Sequence, residues 1–128
     1  MVLGVGVDIM KITQLKAEFL VWQDPFVQKT YSKKEYEQAM ERDAPLYYFA
    51  TRFAGKEAVF KSLNWKDSSI QLRDIEILSN EYGQPFVMLH GKVKEHARAV
   101  GIVEVLISLS YDTEHAIAYA IAQNEISK

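Results

Sequence analysis

The chain has no cysteine among its 128 residues, which excludes disulfide bonds, thiolate metal sites and a cysteine nucleophile. No apolar run approaches the roughly 20 residues that a membrane-spanning helix needs. The opening stretch MVLGVGVDI lacks the basic start and the small-residue cleavage site of a signal peptide. The net charge of −2 and the pI of about 5.9 give no general reason to expect nucleic acid. We therefore expect a cytoplasmic protein that binds neither membranes nor nucleic acid.

The amino-acid composition is that of an ordinary globular protein. Apolar residues make up 48% of the chain and charged residues 25%. There are no internal repeats, low-complexity tracts or linkers. A chain of this length typically builds one core, so we expect a single domain over residues 1–128.

Periodicity predicts a strand, three helices, a hairpin, a fourth helix and a second hairpin, in that order. The first strand, over 2–9, is an apolar run that we expect to be buried, and Gly4 and Gly6 would let another backbone approach closely. The other predicted segments are helices over 11–22, 32–42, 46–63 and 92–100, and strands over 70–79, 86–90, 103–111 and 115–122. Because hairpins pair antiparallel, we expect an α+β fold in which helices pack on one face of an antiparallel sheet.

Local signals set several of the predicted boundaries. The Asp24-Pro25 pair is expected to end the first helix. The S-x-x-E pattern of Ser32 and Glu35 is a capping box that would open the second helix.

The stretch FATRFAGKEAVFKSL, over 49–63, places Glu57 and Lys61 one helical turn apart among alanines. One interpretation is a solvated i, i+4 ion pair that contributes about 0.3–0.5 kcal/mol. The other is functional, because the small alanines leave room for a ligand to approach the two charges. The pattern alone leaves both interpretations open.

Asp8 ends the apolar run of the first strand, and it also has two interpretations. It could cap the following helix. Alternatively it could meet Glu57 across the fold, where two carboxylates would hold Mg²⁺ beside substrate phosphates. In that case Lys61 would contact a phosphate, while Arg52 and Lys56 would add positive charge.

Ser108 and Ser110 lie on the same side of a predicted strand, since side chains alternate with a period of two. They could be the polar outer residues of an edge strand. They could equally provide hydroxyl donors along a groove that binds phosphate or amide groups.

Four segments, taken together, resemble a known family. They are GVGVDIMKI, RFAGKEAVFKSL, DIEILSNEYGQPFVMLHG and ISLSYDTEHAIAYAI, and they cover nearly the whole chain in order. The combination is similar to the small bacterial holo-acyl-carrier-protein synthases, a class of 4′-phosphopantetheinyl transferase. The resemblance implies a small α+β fold and a homotrimer with active sites between neighbouring subunits.

The reaction that this resemblance implies is transfer of the 4′-phosphopantetheine arm from coenzyme A to a serine of apo acyl carrier protein. Adenosine 3′,5′-bisphosphate is released, and Mg²⁺ is held by the residues matching Asp8 and Glu57. The predicted catalytic residues are Lys61 and Asp112. The predicted contacts to coenzyme A are Arg52, Lys61, Pro85, Ser108, Ser110 and Tyr111.

The sequence departs from the family pattern at two places. Tyr111 stands where many members have a histidine, and a neutral tyrosine is a poor base at neutral pH. Asp112 is therefore the candidate for the base or for holding a water. The loop after the long helix lacks the usual glycine, and here Trp65 could stack on adenine or simply be a surface aromatic, while Lys66 could meet a phosphate.

Acyl carrier proteins are acidic, so basic residues are expected to dock them. Lys11 and Lys16 lie near the first helix, and Lys29, Lys33 and Lys34 form an alternative patch. Because Tyr111 replaces the common histidine, an alternative function also stays open. It is a relative that binds coenzyme A or carrier protein without turnover.

Overall fold

The computed structural model describes residues 1–17, 20–67 and 69–127 and contains two antiparallel sheets. The strands are β1 (Val2–Lys11), β2 (Ile75–Ser79), β3 (Pro85–Leu89), β4 (Glu104–Tyr111) and β5 (His115–Gln123). The larger sheet has the strand order β1-β5-β4, and β2 pairs with β3 in a separate hairpin. The helices are α1 (Pro25–Thr30), α2 (Lys33–Met40), α3 (Pro45–Ser62) and α4 (Gly91–Ala99).

The predicted α+β class is confirmed, and helix α3 packs along one face of the larger sheet. All five predicted strands are present, and the last three helices lie where the sequence placed them. In the part of the chain that the structure describes, no helix combines the length and apolar character needed to cross a bilayer.

The predicted helix over 11–22 is wrong where the structure describes it. Strand β1 continues to Lys11, and only a 3-10 turn follows at Ile12–Gln14. The Ile12 N–H donates to the Glu114 carbonyl at 2.8 Å, so pairing with the second hairpin continues past the end of the apolar run. Ile12 and Leu15 are nevertheless buried, which shows that spacings of three and four can serve a core-facing loop. Phe19, on which the prediction also relied, lies outside the described residues.

Asp24 begins a helix instead of ending one. Its carboxylate accepts the Phe26 N–H at 2.8 Å, and Pro25 occupies the first turn of α1. The capping box is confirmed, because Ser32 Oγ accepts the Glu35 N–H and the Glu35 carboxylate accepts the Ser32 N–H.

Close backbone contact between β1 and α3 is also confirmed. A Cβ built on Gly4 would overlap the carbonyl oxygen of Ser62, and one built on Gly6 would overlap that of Ala58. Only glycine at both positions allows this strand to lie directly against the helix backbone.

The other face of the larger sheet is exposed, so the expectation of a buried first strand is wrong for half of its residues. The run is apolar on both sides, and α3 covers only the side that carries the glycines. The exposed apolar side chains on the uncovered face are Val5, Val7, Ile9, Leu106, Ile117 and Tyr119. In the described chain this face has no covering element, a feature typical of a surface that meets another molecule.

A fully buried ion pair joins α2 to α3. Lys56 Nζ lies 2.7 Å from Glu35 Oε1, and both side chains have no exposed surface. The Ile77 N–H donates to the second oxygen of Glu35, and Lys56 also donates to the carbonyls of Leu72 and Ile75. The hypothesis that Lys56 adds charge to a ligand site is therefore wrong, because its ammonium is enclosed among α2, α3 and the approach to β2.

Substituting Gly6 with alanine tests the strand–helix contact. We expect Gly6→Ala to lower the free energy of unfolding by about 2–3 kcal/mol, because the new methyl group forces β1 away from α3. Gly83→Ala is the control, since its Cβ would meet open space and only its φ of +80° causes strain, about 1–2 kcal/mol. Chemical denaturation measures both, and equal losses would contradict a tight contact at Gly6.

Removing one partner of the buried pair should be costly. We expect Lys56→Met to lower the free energy of unfolding by about 3–5 kcal/mol, because the Glu35 carboxylate would stay buried without its cation. The double variant Glu35→Gln/Lys56→Met should recover part of that loss. The exposed pair between the N-terminus and Glu125 is the matched control, and Glu125→Gln should change the stability little. A small loss in Lys56→Met would show that water reaches the Glu35 carboxylate.

Candidate active site

Asp8 reaches α3 because it continues the strand face that Gly4 and Gly6 begin. Alternate residues of a strand share a face, and the two glycines already lie on the helix backbone. The Asp8 side chain is only 18% exposed, and its Oδ1 lies 3.1 Å from Lys61 Nζ. The N-cap interpretation of Asp8 is wrong, because Lys11 precedes the 3-10 turn and no side chain caps it.

Lys61 bridges the strand and the helix. Besides the Asp8 carboxylate, it donates to the carbonyl of Val7 at 3.0 Å. Among the described residues its ion-pair partner is Asp8 on the neighbouring strand, and no pair joins it to Glu57. Its side chain stays 55% exposed, so the ammonium still faces solvent and can meet a ligand.

Glu57 lies close enough to Asp8 for their charges to interact. Burial raises the pKa of Glu57, and the negative charge of Asp8 raises it further, while Lys61 opposes both effects. This coupling is the expected signature of two carboxylates brought to one place. The strand-end aspartate and the mid-helix glutamate therefore lie within electrostatic range of each other, and Asp8 contacts Lys61, one helical turn from Glu57.

A groove runs along the same end of α3 and is called the lysine groove here. It is lined by Glu57, Phe60, Lys61, Asn64, Trp65 and Lys66. Its two ammonium groups, of Lys61 and Lys66, could bind an anionic ligand, and its one carboxylate, of Glu57, could bind a cation. Trp65 is already stacked in a parallel arrangement on His96, with ring centroids 4.4 Å apart.

The carboxylates of this site suit Mg²⁺ better than they suit a metal ion whose ligands all come from the protein. Among the described residues, no group of three or more His, Cys, Asp or Glu side chains could hold a metal ion. Glu57 lines the open lysine groove, and Asp8 contacts Lys61 of the same groove, so both carboxylates offer oxygen donors beside it. Mg²⁺ is usually bound in this way, by one or two carboxylates with substrate phosphates and water completing its shell.

Four of the other predicted contact residues line a second groove, which is called the arginine groove. It lies between the start of α3, the first hairpin and the end of β4. Its residues include Thr51, Arg52, Gly83, Pro85, Ser108 and Tyr111. None of the residues that line it also lines the lysine groove. The structure thus sorts the predicted site residues into two separate groups within one chain.

Arg52 is held firmly in the arginine groove. Its guanidinium donates to Ser79 Oγ at 2.6 Å and lies 3.8 Å from the ring centre of Tyr48. Only 7% of the residue is exposed, so its orientation is fixed before any ligand arrives. A preorganised guanidinium suits a phosphate group.

The two serines share a strand face, as predicted, but they differ in their surroundings. Ser108 pairs with Tyr119 and Ser110 with Ile117, so both lie on the uncovered face of the larger sheet. Ser108 also borders the arginine groove, whereas Ser110 is not among its lining residues. A contact from Ser110 to a ligand is therefore not supported within a single chain.

Tyr111 and Asp112 end β4 with different roles. The Tyr111 ring stacks on Tyr47, with centroids 5.1 Å apart, where the arginine groove adjoins a second hollow that both tyrosines line. Asp112 Oδ1 accepts the N–H groups of Glu114 and His115, and these backbone hydrogen bonds lower its pKa. A carboxylate with a lowered pKa is a weaker base, so the geometry favours a turn-forming role for Asp112.

Sequence reasoning missed several residues that line the grooves. Thr51 on α3 borders the arginine groove, Tyr47 lines the adjoining hollow, and His96 supports the lysine groove from α4. The i, i+4 spacing of Tyr47 and Thr51 could have indicated one shared face. No sequence signal could have linked His96 to Trp65, because the two are 31 positions apart.

Comparison with known proteins gives a consistent result. The family described as the 4′-phosphopantetheinyl transferase superfamily matches residues 4–120. The holo-[acyl-carrier-protein] synthase of Clostridium kluyveri is 39% identical, over 96% of this chain and 91% of that protein. The crystal structure of holo-ACP-synthase from Plasmodium yoelii has a TM-score of 0.80 at 30% identity, over 95% and 94% of the two chains. The ACPS–CoA complex from Chronobacterium ammoniagenes has a TM-score of 0.81 at 26% identity, over 96% and 98%.

These matches cover the segments that carry Asp8, Glu57, Lys61 and the arginine groove. The chain belongs to the holo-acyl-carrier-protein synthases, a family of 4′-phosphopantetheinyl transferases.

Proposed function

We propose that this protein transfers the 4′-phosphopantetheine arm of coenzyme A to a serine of apo acyl carrier protein, with Mg²⁺ as cofactor. Residues 1–128 act as one transferase domain. The observation that carries the proposal is that Asp8 contacts Lys61 and interacts electrostatically with Glu57, while Glu57 and Lys61 line an open groove. Two coupled carboxylates and an exposed ammonium match the needs of a metal-dependent reaction at a pyrophosphate.

Asp8 and Glu57 would hold the metal, and Lys61 would bind a phosphate of coenzyme A. When bound, Mg²⁺ neutralises charge on the pyrophosphate oxygens and on the departing bisphosphate. Lys61 is already anchored by Asp8 and the Val7 carbonyl, so its ammonium is oriented before the substrate binds. This preorganisation reduces the reorganisation needed in the transition state.

The chemistry is a displacement at the β-phosphorus of coenzyme A. The serine oxygen of the carrier protein forms a bond to that phosphorus, and the bond to the bridging oxygen breaks. Adenosine 3′,5′-bisphosphate leaves with the bridging oxygen. The serine proton passes to a water, because Tyr111 is a poor base and the Asp112 carboxylate is engaged by backbone N–H groups.

We propose that the complete site forms between two copies of the chain in a homotrimer. Two observations support this assembly. The arginine and lysine grooves share no lining residue within one chain, although the proposed reaction needs both sets of charges. The uncovered sheet face exposes Val7, Ile9 and Tyr119, and packing copies against it would remove this apolar surface from water.

The carrier protein is proposed to dock beside Lys11 and Lys16. Both follow Asp8 closely along the chain, so an acidic partner bound there would bring its serine near the metal ligands. In the alternative patch, the Lys33 ammonium lies 4.6 Å from the Trp22 ring centre and already has an intramolecular partner. This contact favours the surface near Asp8.

The test of the proposed function is mass spectrometry of apo acyl carrier protein after incubation with this protein, coenzyme A and Mg²⁺. A mass gain of one phosphopantetheine arm is expected. Binding of coenzyme A or carrier protein without any mass gain would favour the binding-only alternative and refute the transferase.

Glu57 tests the metal site. We expect Glu57→Gln to lower kcat/KM at least about 100-fold and to raise the Mg²⁺ concentration required, because a charged group at the reacting phosphates is lost. Glu95→Gln, on the exposed side of α4, is the control and should retain full activity. Unchanged activity of Glu57→Gln at low Mg²⁺ would exclude Glu57 as a ligand.

A charge on the uncovered sheet face tests the assembly. We expect Ile9→Glu to give monomers by light scattering and to abolish transfer, because a buried carboxylate at the interface would lack a partner. Val100→Glu also replaces an exposed apolar residue, but at the end of α4, and it should leave both mass and activity unchanged. Full activity of monomeric Ile9→Glu would refute a site shared between copies.

A further inference from the structure

His96 of α4 contacts the loop after α3. The His96 and Trp65 rings are nearly parallel, at 6°, with centroids 4.4 Å apart. His96 Nε2 also lies 3.1 Å from the carbonyl oxygen of Leu63, the C-cap residue of α3. A carbonyl only accepts, so Nε2 carries the proton and donates.

The same loop is fixed on its other side by β1. Asn64 adopts a left-handed backbone conformation, with φ of +52°. Its side-chain nitrogen Nδ2 donates to the Leu3 carbonyl at 3.3 Å. The chain therefore leaves α3 through a strained residue, between a strand contact and a contact to His96. A backbone held in this way needs support from its surroundings to keep its geometry.

This loop forms one wall of the lysine groove. Trp65 and Lys66 line this groove together with Glu57 and Lys61 of the helix, so the position of the loop sets where the Lys66 ammonium lies. Two lysines in one groove suit a ligand with two phosphates, because each ammonium acts as a separate point charge.

We propose that His96 is a positioning residue for coenzyme A binding. By stacking on Trp65 and bonding to the Leu63 carbonyl, it holds the loop so that Lys66 meets a phosphate of coenzyme A. This inference rests on the proposed function, because coenzyme A is taken as the ligand of the lysine groove. His96 itself touches no substrate and acts through Trp65 and Lys66.

The first experiment measures coenzyme A binding by calorimetry with Mg²⁺ and without carrier protein. We expect His96→Ala to weaken binding about tenfold, the ratio that corresponds to one hydrogen bond to a charged group. Lys66→Met should weaken it equally, and the double variant should add little, because both changes remove the same contact. In the transfer assay KM should rise while kcat changes little.

Conservative and matched variants separate positioning from a merely structural role. His96→Phe keeps the ring stack and should restore most of the affinity. His90→Ala changes the histidine next to the start of α4, which bonds to Glu76 and not to the loop, and should leave affinity unchanged. In a Trp22→Phe background, where Trp65 is the sole tryptophan, His96→Ala should shift its emission to longer wavelength.

A lower Tm of His96→Ala with unchanged affinity for coenzyme A would overturn the inference and leave the proposed function intact. Additive effects of His96→Ala and Lys66→Met would also overturn it, because they would show that the two residues act independently. A wild-type protein that binds coenzyme A but transfers nothing would refute the proposed function. The binding comparison would still decide the role of His96.

Discussion

The contact between β1 and α3 is the constraint on which the candidate site depends. Two glycines bring the strand against the helix so closely that no side chain fits between them. The next residue on the same strand face is Asp8, which is thereby placed beside Lys61 and near Glu57. A larger strand–helix separation, of the kind usual when side chains intervene, would move Asp8 away from Lys61 and Glu57.

The buried Glu35–Lys56 pair supports the opposite side of α3. Its hydrogen bonds tie α2, α3 and the entry to β2 together, so the helix is fixed both by glycine contacts and by an enclosed charge pair. The adjacent residues Lys56 and Glu57 therefore have opposite environments. Lys56 points into the interior, and Glu57 points to the groove, because successive residues of a helix are about 100° apart.

The separation of the lysine and arginine grooves and the uncovered sheet face have one common explanation in the proposed assembly. One chain presents positively charged grooves in two places and an apolar sheet face that nothing in the described chain covers. The proposed association of copies through that face would account for both features at once. Hydrophobic burial would then stabilise the assembly, while the charged grooves at its edges would perform the chemistry.

The sequence by itself determined the α+β class and most element positions, and it predicted that Asp8, Glu57 and Lys61 belong to one site. Periodicity, capping residues and glycines act locally, and a family resemblance adds the order of motifs. Only the tertiary structure decided that residues 11–17 form no α-helix, that Lys56 is buried, and that His96 stacks on Trp65. These features depend on contacts between segments far apart in the chain, such as Ile12 with Glu114 and Leu63 with His96. Spacing along a sequence cannot encode such contacts, because the same apolar pattern buries equally well as a helix or as a core-facing loop.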